Sequence, residues 1–172
     1  MKFDPLGKPE LSGSRGDEMF LSRGALLELM TAVLSKGCSF RFKAKGWSMT
    51  PFIRDGDVIK VDPINAHPLQ VGQVVAFHSA DERCLVVHRI IARTDTGYLI
   101  QGDSAMGESD GIVRQDQLLG QVSRVDREGR RVWLGQGPGR GVVAWLSRRG
   151  HLARLRMGWN AWVARIRKLL SK

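Results

Sequence analysis

The chain has 172 residues, 42% of them hydrophobic, enough to bury one core with appendages rather than two. Its formal charge of +10 is unevenly spread: residues 129–172 carry eleven Arg and Lys and no acid, leaving sixteen of the 27 basic residues to face all seventeen acids in the first 128. A near-neutral body with a basic tail argues against a nucleic-acid-binding domain, and two cysteines, Cys38 and Cys84, are too few and unpatterned for a disulfide framework or zinc site and read as small reduced hydrophobes.

Residues 1–18 are rich in Gly, Pro, Ser and charge and read as a flexible arm. Over 19–36, Phe20, Leu26, Leu27, Met30, Val33 and Leu34 recur at helical spacing and Gly37 follows as a stop, which predicts an amphipathic helix with one buried face. From residue 38 to 134 the texture changes to short apolar and β-branched runs separated by Gly, Asp and Pro. Strands are expected at Ser39–Lys43, Val58–Val61, Val71–Phe77, Leu85–Ile91, Tyr98–Gln101, Leu119–Val125 and Arg131–Leu134. No helical repeat separates them, so the predicted class is mainly β, an antiparallel ribbon barrel or sandwich. Residues 135–141, GQGPGRG, read as a linker. Over 142–172, Trp145, Leu152, Trp159 and Ile166 fall at sevenfold spacing among arginines, which predicts a basic amphipathic helical tail.

Chemistry gathers at three places. Ser48 stands in Gly46-Trp47-Ser48-Met49-Thr50-Pro51, where Gly and Pro supply the tight turn on which a nucleophilic serine must be presented. A serine in a turn is more often only a capping hydroxyl, so the reading needs a base. His88 lies in Leu85–Ile91, and period two puts it on one face with Val86 and Ile90; a neutral imidazole there would serve as general base. A lone strand histidine is more often structural, and the reading gains weight from the acids that follow. Gly102-Asp103 and then Asp110 offer a carboxylate to fix the histidine tautomer, although Asp and Gly are also ordinary turn formers.

Taken in order, Gly-x-Ser-Met-x-Pro, Asp-Gly-Asp-Val (55–58), Val-Gly-Gln-Val-Val-Ala-Phe (71–77), His88-Arg89, Gly102-Asp103 with Asp110 seven residues on, and Leu-Gly-Gln-Val (119–122) resemble the type I signal peptidases and the related self-cleaving repressor peptidases over Phe40 to Val125. The resemblance implies a serine endopeptidase of that ribbon fold, needing no metal or organic cofactor, that cuts an extended peptide after a small residue. Ser48 would be the nucleophile and His88 the base, where the bacterial branch and the repressors carry lysine; this is similar to the Ser/His branch. Asp110 is expected to orient His88, with Asp103 the alternative acid and otherwise the partner of Arg89, which would hold the loop. Trp47, in place of a small residue, and Met49 are expected to contact substrate, and Gly46 replaces a serine that assists the oxyanion in the bacterial branch.

No stretch reaches the roughly 18 to 20 apolar residues of a membrane-spanning helix, and the start lacks a secretory signal's apolar core, so a cytoplasmic or peripheral membrane location is expected. The tail suits either an anionic membrane surface or packing on its own domain or a partner. Two other readings are a self-cleaving regulator and a non-catalytic module binding nucleic acid or lipid. The first is disfavoured by His88, by a short N-terminal region and by the lack of an Ala-Gly bond upstream of Ser48, the second by the retained Ser48, His88 and Asp110.

Overall fold

The computed structural model of the chain describes residues 22–64, 68–79, 84–104, 109–132 and 139–149. The arm at 1–18, most of the linker and the tail beyond Arg149 lie outside the described residues.

Helix α1 (Arg23–Ser35) is capped by Ser22, whose side chain accepts from the Ala25 N–H at 3.2 Å. It ends where Gly37 takes a φ of 76°, its N–H donating to the Leu34 carbonyl at 3.0 Å. Eight strands follow among the described residues: β1 (Phe40–Lys43), β2 (Val58–Pro63), β3 (Val74–Ser79), β4 (Cys84–Arg93), β5 (Tyr98–Gln101), β6 (Ile112–Val113), β7 (Leu118–Arg127) and β8 (Arg130–Arg131). All pair antiparallel in one sheet of order β1-β2-β7-β3-β4-β5-β6, with β8 on β7. The mainly β fold expected from the sequence is what the chain adopts.

Two cores lie on the faces of this sheet. Met30 and Leu34 of α1 join Met49, Ile53, Ile59, Val61, Val74, Ala76, Val122 and Val125 in one. Val75, Phe77, Ile90, Tyr98, Ile100, Val113 and Leu118 build the other. Strand β3 feeds both, Val74 and Ala76 to one side and Val75 and Phe77 to the other, which is why it reads as an unbroken apolar run. Register shifts at Lys60/Val61, Ala76/Phe77 and Ile90/Ala92 mark bulges that bend the long ribbons.

Several boundaries differ from the sequence reading. β3 begins at Val74, because Val71 and Gly72 turn ahead of it and Gly72 N–H bonds to the Ile90 carbonyl at 2.8 Å. β6 is two residues long and carries too little pattern to be predicted. β8 begins at Arg130, one residue before the expected start, and residues 133–134 of the expected Arg131–Leu134 strand lie outside the described residues. Helix α2 (Arg140–Arg148) starts inside the segment read as linker and packs Val143, Ala144 and Ser147 against the sheet. No helix among the described residues is long and apolar enough to cross a membrane.

Candidate active site

The segment between β1 and β2 is a loop pinched at its neck: Ala44 N–H donates to the Asp57 carbonyl at 2.7 Å and Gly56 N–H to the Ala44 carbonyl at 2.9 Å. The two aspartates of Asp55-Gly56-Asp57 hold it from inside. Asp55 accepts from Gly46 N–H at 2.9 Å, at a φ of 101° that favours glycine. Asp57, 2% exposed, accepts the Arg54 N–H at 2.8 Å and both arms of Arg127, Nε at 2.8 Å and Nη2 at 2.7 Å. The hydrogen bond to Asp57 holds the Arg127 guanidinium above its usual pKa. The Asp-Gly-Asp motif is thus the frame of the loop, carrying Ser48 at its exposed tip.

Within the tip, Thr50 N–H donates to the Trp47 carbonyl at 3.1 Å and Ile53 N–H to the Met49 carbonyl at 2.9 Å, and the Thr50–Pro51 peptide is cis. Ser48 is exposed and Trp47 is 56% exposed beside it. Met49 is 4% exposed and belongs to the core under the turn, so it offers substrate almost no side-chain surface and acts as the floor of the serine turn.

His88 sits on β4 opposite Val75, its ring centroid 6.4 Å from that of Phe77. Its side chain is 13% exposed and its Nδ1 lies 2.6 Å from Asp110 Oδ2. Asp110 arrives there because its N–H bonds to the Ile100 carbonyl at 3.0 Å, closing the loop between β5 and β6 next to β4. A ring that donates its Nδ1 proton to Asp110 keeps a lone pair on Nε2. Nε2 faces Gly102: a Cβ placed on Gly102 would lie 3.1 Å from it and 2.8 Å from the Ser48 carbonyl oxygen. The absence of a side chain at residue 102 is what lets the serine turn and the histidine share one wall.

The next residue, Asp103, turns the other way. Arg89 Nε donates to its Oδ1 at 2.8 Å and Nη2 to its Oδ2 at 2.7 Å, with both side chains fully buried. Arg89 Nη1 donates to the Gly72 carbonyl at 2.8 Å, and the guanidinium carbon lies 5.0 Å from the Phe52 ring centroid. Ser104 then ties the wall to the serine turn twice, its N–H donating to the Ser48 carbonyl and its Oγ to the Trp47 carbonyl, both at 2.8 Å. Sequence reasoning passed over Ser104, whose only signal was its place after Gly102-Asp103.

The residues singled out from the sequence therefore divide. The Ser48 carbonyl and His88 Nε2 meet at Gly102, Asp110 lies on the far ring nitrogen of His88, Asp103 is committed to Arg89, Trp47 flanks the serine, and Met49 is buried next to it. A groove of about 730 Å³ lined by Thr31, Leu34, Arg93, Tyr98 and Asp116 includes none of them. No group of three or more His, Cys, Asp or Glu among the described residues is placed to hold a metal.

A serine turn and a histidine–carboxylate pair on one wall of a mainly antiparallel fold are the parts that a serine peptidase in the broad sense, a self-cleaving regulator included, would use. More particularly, residues 7–123, more than half of the chain, match the Peptidase S24-like family, and the chain belongs to that family. A comparison with curated proteins gives no match.

Proposed function

We propose that the chain is a serine endopeptidase of the signal-peptidase type that cuts an extended leader or signal peptide after a small residue. The observation that carries the reading is the 2.6 Å contact of His88 Nδ1 with Asp110, which turns Nε2 toward the wall shared with Ser48. In this mechanism Ser48 Oγ attacks the scissile carbonyl while His88 Nε2 takes its proton. The same nitrogen returns the proton to the leaving amine, and Asp110 steadies the ring and the imidazolium that forms. The Ser48 N–H supports the oxyanion, and water activated by His88 releases the acyl-enzyme. Arg89 and Asp103 hold the loop, and Trp47, exposed next to the serine, contacts the peptide.

Ser48 and Trp47, both exposed at the loop tip, suit an extended peptide better than a small molecule, which calls for an enclosed pocket. Family membership supports a second reading, a regulator that cleaves itself. A histidine where that class carries lysine, and the lack of an Ala-Gly bond upstream of Ser48, favour cleavage in trans.

The test is cleavage of a peptide library by the purified chain beside Ser48→Ala and His88→Ala. Cutting after small residues that both substitutions abolish is the expected result. Release of a fragment of the chain itself, with the library untouched, would select the self-cleaving reading. Cutting that survives Ser48→Ala would overturn the mechanism.

A further inference from the structure

Helix α2 has two faces with different partners. Toward the body, Val143 is 6%, Ala144 1% and Ser147 0% exposed. Gln101 Nε2 donates to the Ser147 carbonyl at 3.1 Å, and Gln101 directly precedes Gly102, the wall shared by His88 and Ser48. At the other end of the helix, a Cβ on Gly72 would lie 2.6 Å from the Arg140 carbonyl oxygen, so α2 begins against the residue whose own carbonyl accepts from Arg89. The helix is therefore joined at both ends to backbone that frames the candidate site.

Away from the body, Val142 is 63% and Trp145 48% exposed, three positions apart on one stripe. Arg149 continues that stripe with its guanidinium carbon 4.4 Å from the Trp145 ring centroid, and Arg148 is exposed beside it. From residue 129 to the end of the chain there are eleven basic residues and no acid. A short helix with an aromatic and an aliphatic side chain presented together, rimmed by cations, matches a surface with anions outside and an apolar layer beneath.

We propose that the outward stripe of α2 docks on an anionic lipid surface and so seats the candidate catalytic wall beside it. Lipid fits better than nucleic acid for two reasons visible in the helix. The Trp145 ring already has a guanidinium over it, which competes with a stacked base, and Val142 finds an apolar partner in acyl chains but not in a phosphate backbone. The consequence for substrate, which rests on the peptidase reading above, is that the peptides cut are those presented at a membrane surface.

The experiment is co-sedimentation of the full chain carrying Ser48→Ala with phosphatidylcholine vesicles, with and without phosphatidylglycerol. Using that variant makes docking independent of catalysis. Binding is expected only with phosphatidylglycerol, and Val142→Ser combined with Trp145→Ser is expected to weaken it about ten-fold or more while the thermal transition stays put. The same pair of substitutions in the otherwise unaltered chain is expected to leave cleavage of a soluble peptide unchanged. Equal vesicle binding with and without them would overturn the proposal, because the charge of the tail alone would then account for it. So would binding to duplex DNA with no binding to vesicles. No binding to phosphatidylglycerol vesicles by the chain without the Val142 and Trp145 substitutions, while the unaltered chain cleaves the soluble peptide, would sink the docking proposal and leave the peptidase standing. Persistent cleavage by Ser48→Ala would do the reverse.

Discussion

Replacing Arg89 with Met isolates the energetic cost of the ion pair behind the candidate catalytic wall. Arg89 and Asp103 are both fully buried and joined by two hydrogen bonds at 2.7 and 2.8 Å. Met fills much of the alkyl volume but leaves the Asp103 carboxylate in the interior without its cation. Breaking a buried pair from one side costs about 3–5 kcal/mol, chiefly the price of the stranded charge. Losing the bond to the Gly72 carbonyl adds about 1 kcal/mol if no water replaces it. Against a domain stability of about 5–15 kcal/mol, this is a large fraction of the whole. Urea unfolding of Arg89→Met at pH 7 should show it as a lower midpoint with unchanged slope. The double variant Arg89→Met, Asp103→Leu removes the stranded charge and should regain most of the loss. A single variant within about 1 kcal/mol of the parent, or a double variant no more stable than the single, would refute the reasoning.

Three further outcomes are expected. Gly102→Ala puts a Cβ 2.8 Å from the Ser48 carbonyl oxygen and 3.1 Å from His88 Nε2, so the serine turn and the ring must separate; kcat should fall by about 100-fold, read by steady-state cleavage of a soluble peptide, with a much smaller effect on stability. Asp110→Asn keeps the shape but removes the carboxylate that selects the His88 tautomer, and a loss of about 10²- to 10⁴-fold in kcat with unaltered unfolding is the result to check. Asp62 is subject to burial, which would raise its carboxyl, but the nearby hydroxyls of Ser39 and Ser123 and the Lys60 ammonium 2.9 Å from Oδ1 prevail and hold it below the usual value of 3.8. The stability it contributes is present above that value and disappears as pH falls through the depressed one. Asp62→Asn should therefore destabilise at pH 7, by about 1 kcal/mol or less because the side chain is 35% exposed, and match the parent in strong acid, as measured by unfolding across pH.

Much of the fold was legible because each strand announces its surroundings. The run Val74–Phe77 is apolar throughout since both faces of β3 are covered, and the segment Leu85–Ile91 alternates because Leu85 and Val87 enter one core and Val86 and Ile90 the other. Helix α1 ended at Gly37 as expected, for the left-handed backbone there suits glycine. Two kinds of information were missing from the pattern. Ser104 acts through backbone carbonyls at residues 47 and 48, and no residue type at those positions signals that a carbonyl will be used. In α2, the sevenfold spacing through Trp145 suggested an apolar docking face, yet the face that meets the body is made of Val143, Ala144 and Ser147. At Ser147 the tie to the body runs through the backbone carbonyl, which accepts from Gln101 Nε2, and no residue type signals that use of a carbonyl.

The two acids that the sequence left in competition, Asp103 and Asp110, are separated by their partners rather than by their distance along the chain. A carboxylate that orients an imidazole needs an oxygen free to accept from Nδ1. Asp103 has both oxygens engaged by one guanidinium in a fully buried pair, so serving His88 would require breaking that pair at a cost of several kcal/mol. Asp110, with its side chain 28% exposed, has Oδ2 on the ring. A fixed cation at that place would compete with the imidazolium that the proposed reaction forms. In the proposed mechanism the buried acid therefore belongs to the architecture of the wall and the more exposed one to its chemistry. Partners rather than exposure alone decide the role: Asp57 is buried against Arg127 and Asp55 is exposed, yet both are engaged in framing the loop that holds up Ser48.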